Sequence, residues 1–309
     1  MHSLFKNSST SWTRYTNYEW RLGPDGHVYL MPTPDSTTVI YDPMDVAQQM
    51  VIDAVYTGIQ CSNLFSNTEE QHMELIRQFA CKYGLLGMMV GLPTTAHFVE
   101  YEKVYLPRNQ FIREETMVTE EYISLFFPFK QPRFAKTGKE DFLWQMNTTE
   151  HEFDEISLMM TFQDESTAKA MSFTRDYGER YDWMIEVFLE WSFILRACFD
   201  AYVCNRDSPR AYRVIHEAMR AFDRNLPTYH IELRETPIVV WNLHSLMLTI
   251  QLLMTGSLTD EAHPLHMCAV CGKPFPADSR DQYFCSEECR QRYVDVYGTD
   301  ELPPPGWDS

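Results

Sequence analysis

Four cysteines near the C-terminus are the residues of this chain whose types and spacing could do chemistry. Residues 268–292 read Cys-Ala-Val-Cys-Gly-Lys-Pro-Phe-Pro-Ala-Asp-Ser-Arg-Asp-Gln-Tyr-Phe-Cys-Ser-Glu-Glu-Cys-Arg-Gln-Arg. Cys268-x2-Cys271 and Cys285-x3-Cys289 are two pairs separated by 13 residues. Four thiolates at tetrahedral positions suit one structural Zn2+ ion, and a full shell of four leaves no position open for water or substrate. The neighbours agree with this. Gly272 follows the second cysteine, where a metal knuckle needs a positive φ. Phe275 and Tyr283-Phe284 are expected to bracket a short hairpin and supply a small core. Ser286 is an N-cap with Glu287 and Glu288 behind it, which sets Cys289 in the first turn of a closing helix whose dipole favours a thiolate. Knuckle, hairpin and helix in this order make a treble-clef finger. A module of about 25 residues buries too little apolar surface to order itself, so the metal is expected to supply its folding free energy. His263 and His266, just before the knuckle, are expected to be exposed linker histidines.

Nothing comparable points to catalysis. The chain has no Gly-rich phosphate loop, no Gly-x-Ser-x-Gly elbow and no His-Glu-x-x-His. His216 and His244 stand alone, and acidic groupings such as Glu100-Tyr101-Glu102 arise by chance among 44 carboxylates. The expectation is a protein that is not an enzyme. The other four cysteines, 61, 81, 198 and 204, are scattered in apolar surroundings and read as buried thiols. Free thiols beside a thiolate cluster, with no apolar run at the N-terminus, fit a reducing cytoplasm.

The elements that must position the cysteines follow from patterning. With 309 residues, 44% apolar and 14% aromatic, the chain has ample material for a core and is not a disordered one. Tyr18 to Met31 alternates about Gly-Pro-Asp-Gly and reads as a β-hairpin. Asp42-Pro43 caps a helix carrying Val46, Met50, Val51, Ala54 and Val55. A second helix opens near Asn67, with Leu75, Ile76, Phe79 and Tyr83 on its apolar stripe and Gly84 at its end. His97 to Leu106 reads as a strand or extended loop, and Thr119 caps a short helix ending at Pro128. Residues 128–150 carry Pro, Gly and positive charge and read as a linker or exposed loop. Asp164 to about Ala201 reads as one long or broken helix. Ser208-Pro209 starts another, with Tyr212, Ile215, Met219 and Phe222 on one face. Thr236-Pro237 is expected to start a helix that runs to about Gly256. No Asp, Glu, Lys or Arg occurs from Thr236 to Thr259, but polar interruptions there favour a buried helix over a membrane span. The expected fold is mainly α with a small N-terminal β-hairpin element (α+β) and a C-terminal four-cysteine treble-clef finger. Its units are a flexible N-terminus (1–16), a helical body (17–262), the finger (263–298) and a flexible tail (299–309).

A long helical body, an uncharged helix and a finger ending Tyr-Phe-Cys-Ser-x-x-Cys-Arg make a sequence that resembles bacterial proteins of the CGNR zinc-finger type over about residues 240–292. The resemblance implies the four zinc ligands Cys268, Cys271, Cys285 and Cys289 and a regulatory role. The chain reads Cys289-Arg290-Gln291-Arg292 where the family carries Cys-Gly-Asn-Arg, and the adjoining basic run is missing. The body is more similar to helical proteins of anaerobic bacteria that end in the same finger. Two functions are therefore expected: a cytoplasmic regulator with a structural zinc finger, or an interaction module that docks a protein partner without binding nucleic acid. Charge bears on the choice. The chain carries a formal -18 at pH 7, which repels phosphate backbones over most of its surface. Residues 268–292 balance Lys273, Arg280, Arg290 and Arg292 against Asp278, Asp281, Glu287 and Glu288. Any nucleic-acid contact would be weak and would fall on Arg290 and Arg292.

Overall fold

A computed structural model describes residues 8–62, 67–88, 102–105, 111, 116–126, 128–129, 133–136, 142–145, 177–201, 208–219, 228–233, 235–242, 245–260, 262–279 and 281–299. Five short strands come first: β1 (Ser8–Ser9), β2 (Trp12–Tyr15), β3 (Tyr18–Leu22), β4 (Val28–Pro32) and β5 (Thr38–Tyr41). β3 and β4 form the expected hairpin, in register from Tyr18↔Pro32 to Leu22↔Val28. Its turn is closed by the Gly23 N–H donating to the His27 carbonyl at 2.7 Å. β2 pairs with β5.

The helical signals then act as local chemistry dictates. The Asp42 carboxylate accepts from the Met44 N–H at 2.8 Å. Pro43 opens a 3-10 turn (Pro43–Val46) that feeds α1 (Ala47–Cys61). Thr68 and Gln71 form a reciprocal capping box at the start of α2 (Glu69–Tyr83). Gly84, at φ 98, ends it in a conformation that side-chain-bearing residues rarely adopt. Next come the pair β6 (Lys103–Tyr105) and β7 (Thr116–Val118), then α3 (Thr119–Phe126). Within 128–150, β8 (Arg133–Lys136) and β9 (Phe142–Gln145) pair antiparallel. β10 (Glu179–Arg180) joins the N-terminal hairpin in the order β10-β4-β3. The chain continues as α4 (Tyr181–Phe199), α5 (Pro209–Met219), β11 (Thr228–Leu233), β12 (Pro237–Asn242), α6 (Leu246–Leu258), β13 (Leu265–Met267), β14 (Pro274–Pro276) and α7 (Glu287–Tyr297). The described residues thus hold seven α-helices among several small sheets, an α+β mixture.

Three expectations need correction. Of the long or broken helix expected from Asp164, the part up to residue 176 lies outside the described residues; the described part begins at Tyr181, because Glu179 and Arg180 are held extended against Leu30 and Tyr29. The helix expected from Thr236 is a strand in its first third. β12 pairs with β11 over six residues, and its Ile-Val-Val-Trp core is β-branched and aromatic, which suits a pleated surface. Lack of charge reports burial and says nothing of period. The helix itself starts after Ser245, whose Oγ accepts from the Leu248 N–H at 3.1 Å. Among the described residues no helix is long and apolar enough to cross a membrane. On α5 the buried face is Ala211 and Ile215, while Tyr212 is exposed. Leu106, His244 and Phe222 lie outside the described residues.

The core centres on α1 and α4. The two helices pack on each other, and Val51, Val55 and Ile59 of α1 and Val187, Phe188, Trp191 and Ile194 of α4 are all buried in the same core. α2 and α6 pack beside α1. The two central helices touch at Gly58, where an added Cβ would lie 1.9 Å from the Phe188 carbonyl oxygen. A second constraint is polar. The Glu179 carboxylate is fully buried and accepts three hydrogen bonds. They come from the Leu86 N–H at 2.7 Å, the Met88 N–H at 2.9 Å and the Tyr177 hydroxyl at 2.6 Å. Burial pushes this carboxyl up, against the pull of those donors. The Met247 N–H donates to the Leu86 carbonyl at 2.8 Å, so the same segment anchors the start of α6.

Gly58→Ala should cost about 3 kcal/mol, because a backbone carbonyl cannot move aside as a side-chain tip can. Chemical denaturation measures it, and a change below about 0.5 kcal/mol would show that the helices separate freely. For Glu179, a raised pKa means that the folded state holds the proton more tightly than the unfolded chain. Stability should therefore fall as pH rises above the ordinary carboxylate range. Glu179→Gln cannot ionise and should flatten that part of the pH–stability curve.

Candidate metal centre

The metal site is assembled from two local structures. β13 and β14 pair in register from Leu265↔Pro276 to Met267↔Pro274, and the knuckle is the turn between them. The Gly272 N–H donates to the Cys268 carbonyl at 2.9 Å and Gly272 has φ 69, so the chain reverses while Cys268 and Cys271 stay on one side. The second pair lies at the start of α7. Ser286 Oγ accepts from the Cys289 N–H at 3.3 Å, which places Cys289 in the first turn with Cys285 just before it. Ala269 N–H donates to the Tyr283 carbonyl at 2.9 Å and ties the two halves together.

These supports bring all four sulfurs within 4.8 Å of one another. The Cys271 and Cys285 Sγ atoms are 3.6 Å apart, and those of Cys285 and Cys289 3.7 Å. A tetrahedron of metal–sulfur bonds near 2.3 Å has edges of about 3.8 Å. The donor set therefore fits one four-coordinate metal ion. Cys268 and Cys289 are buried, Cys271 and Cys285 half-buried. Burial pushes the Cys271 and Cys285 thiols up, and neighbouring cysteines push Cys285 further. Cys268 is different: burial raises it too, but the amides of Cys271, Cys285 and Val270 outweigh that and leave it at about 7. Cys198 and Cys61, by contrast, sit in the main core, where burial pushes each to about 12. They are inert packing groups. Cys204 lies outside the described residues.

The module has its own small core of Phe275, Ala277, Phe284 and Tyr293 around the buried cysteines. Ala277 and Tyr293 were not expected there. Nor does a hairpin follow the knuckle as expected: among the described residues of the module, the one strand pair has the knuckle at its tip. His263 is 59% exposed at its side chain, as expected. His266 is not: it is 4% exposed. Its Nδ1 lies 2.9 Å from the Gln282 carbonyl, and its ring stands edge-on to Phe275 of the module and Phe199 of α4. Leu265, its neighbour on the opposite face, belongs to the main core. β13 is thus buried on both faces, between module and body. The alternation Leu265-His266-Met267 was the signal, but three residues are too few to read a strand from. Gly272 lies at the end of α1, where an added Cβ would be 4.0 Å from Ile59 Cγ2.

No protein-family model, no curated protein and no solved structure matches this chain.

Metal binding requires thiolates, and the cluster holds at least two thiols, Cys271 and Cys285, whose pKa is raised. Binding must expel both protons, so apparent affinity should fall at least about a hundredfold for each pH unit of acidification, and more steeply below about 7, where Cys268 also holds its proton. Competition with a chromogenic chelator at several pH values measures this, and a slope near zero would mean the metal sits elsewhere. Cys285→Ser should release the metal, while Cys198→Ser should retain it.

Proposed function

We propose that this chain is a non-enzymatic regulatory protein of a reducing cytoplasm, and that its cysteine cluster holds one structural zinc ion. The observation that carries the reading is the sulfur tetrahedron, closed by four thiols with no histidine or carboxylate among its ligand atoms. Thiolate-only sites of this size favour zinc, and a filled shell holds a fold together without activating water. The finger is treble-clef-like in its ligand placement: one pair from a knuckle whose glycine has positive φ, the other from the N-terminus of a helix.

Regulation through a protein partner is favoured over nucleic acid by the chemistry of α7. Arg290 is engaged by Glu287, with Nη2–Oε1 at 2.8 Å and Nε–Oε2 at 3.0 Å. Glu288 shares the same turn, and Arg292 acts on it electrostatically. A phosphate approaching these arginines would have to displace carboxylates while facing a chain of charge -18.

Elemental analysis of reductant-protected protein should find about one zinc per chain. Zinc well below that ratio would remove the reading. In a fluorescence anisotropy titration, random duplex DNA should not bind appreciably at about 0.15 M salt. Tight, salt-resistant binding that Arg290→Glu weakens would restore a nucleic-acid role.

A further inference from the structure

The four sulfurs of the cluster are not equally sheltered. Cys268 is 1% and Cys289 8% exposed, whereas Cys271 and Cys285 are half-buried. Oxidation of a cysteine follows its thiolate character and its exposure. The two half-buried sulfurs belong to opposite halves of the module, Cys271 to the knuckle and Cys285 to the residue before the Ser286 cap. They lie 3.6 Å apart, so closing to a disulfide needs an approach of only about 1.5 Å. Every other pairing within the cluster uses at least one buried sulfur. Cys289, 3.7 Å from Cys285, is also fixed in the first turn of α7 by the hydrogen bond of its N–H to Ser286 Oγ. Cys271 and Cys285 are thus the one pair of the cluster in which both members face solvent within reach of each other.

We propose that Cys271 and Cys285 form a redox switch, which a hydroperoxide closes to a disulfide and which thereby makes the cluster give up its metal. The inference rests on the zinc reading above and adds a regulation of that site. The Cys285 thiolate attacks one oxygen of hydrogen peroxide and breaks the O–O bond, leaving hydroxide and a sulfenic acid on Cys285. The Cys271 thiolate then attacks that sulfur, forms the S–S bond and expels the sulfenic oxygen as a second hydroxide. Two protons from solvent convert the hydroxides to water, and two electrons have passed from the sulfurs to the peroxide. Cys268 and Cys289 remain as ligands, two of the four that a closed structural shell requires. The new bond ties the knuckle to the start of α7 in place of the metal, so the two halves of the module stay joined and reduction can restore the site. The change reaches the body through β13, whose His266 stands between Phe275 of the module and Phe199 of α4.

The test uses the full chain, reduced, loaded with zinc and freed of excess metal and reductant. Hydrogen peroxide is added at about one to ten equivalents, and a chromogenic chelator follows zinc release, expected to be at least about tenfold faster than without peroxide. Remaining thiols are then alkylated and the chain is cut with trypsin. Arg280 separates the two cysteine pairs, and no Lys or Arg lies between Cys268 and Cys271 or between Cys285 and Cys289. The proposed disulfide therefore joins two tryptic peptides, fragmentation of which should place it on Cys271 and Cys285. One disulfide should form per zinc released, and a dithiol with added zinc should reverse both. Cys81→Ser should respond as the parent chain does, although Cys81 is also half-buried and lies 3.6 Å from an Arg77 Nη1. A chain that takes up no zinc before oxidation overturns the metal reading, and this proposal with it. A chain that binds zinc and keeps it through the peroxide treatment overturns the switch alone. So does release accompanied by a disulfide between other cysteines, or release abolished by Cys81→Ser.

Discussion

The contact between α1 and α4 at Gly58 is the constraint on which the remaining structure depends. A glycine lets the α1 backbone sit against the Phe188 carbonyl, closer than any side chain permits. That proximity sets the spacing of the two helices that bring Val55, Ile59, Phe188 and Trp191 into one buried core. It also fixes where the two helices end. Ile59 stands near the knuckle glycine, and Phe199 meets the ring of His266. The cysteine cluster is therefore placed by a crossing that contains none of its ligands.

This placement makes the finger more than an appended bead. Its own core is too small to order it, and the metal ion that the sulfurs can hold supplies part of what is missing. The rest comes from β13, which gives Leu265 to the main core and His266 to the module side. Because the Nδ1 of His266 faces a carbonyl, that nitrogen carries the proton and the ring is held in one orientation. Loss of the metal should accordingly be felt at the C-terminal ends of α1 and α4, not only within the finger.

What was legible in the sequence is what short-range chemistry decides. The four cysteines, the Ser286 cap, the Asp42-Pro43 helix start and the Gly-Pro-Asp-Gly hairpin each rest on residues a few positions apart, and each forms as read. What was not legible depends on distant partners. β12 becomes a strand because β11 and β1 are beside it. Glu179 is extended because Leu30 is opposite, and its buried carboxylate is met by the amides of Leu86 and Met88. His266 is buried because α4 happens to end where its ring can stand. A single sequence, read by period and composition, carries no term for such encounters.

The Glu179 carboxylate also bears on the order in which the chain assembles. The amides that receive it lie 93 and 91 positions earlier. A loop of that length is entropically costly to close, and beforehand only the Tyr177 hydroxyl, two residues away, is at hand as a donor. Until α2, the segment after it and β10 have come together, the group remains in water, where desolvating it without its donors would be uphill. Its burial is thus a late step, gated by topology more than by helix formation. In the reverse direction, water reaching this one buried group would release residues 84–88 and the start of α6 together, as a single cooperative unit of opening.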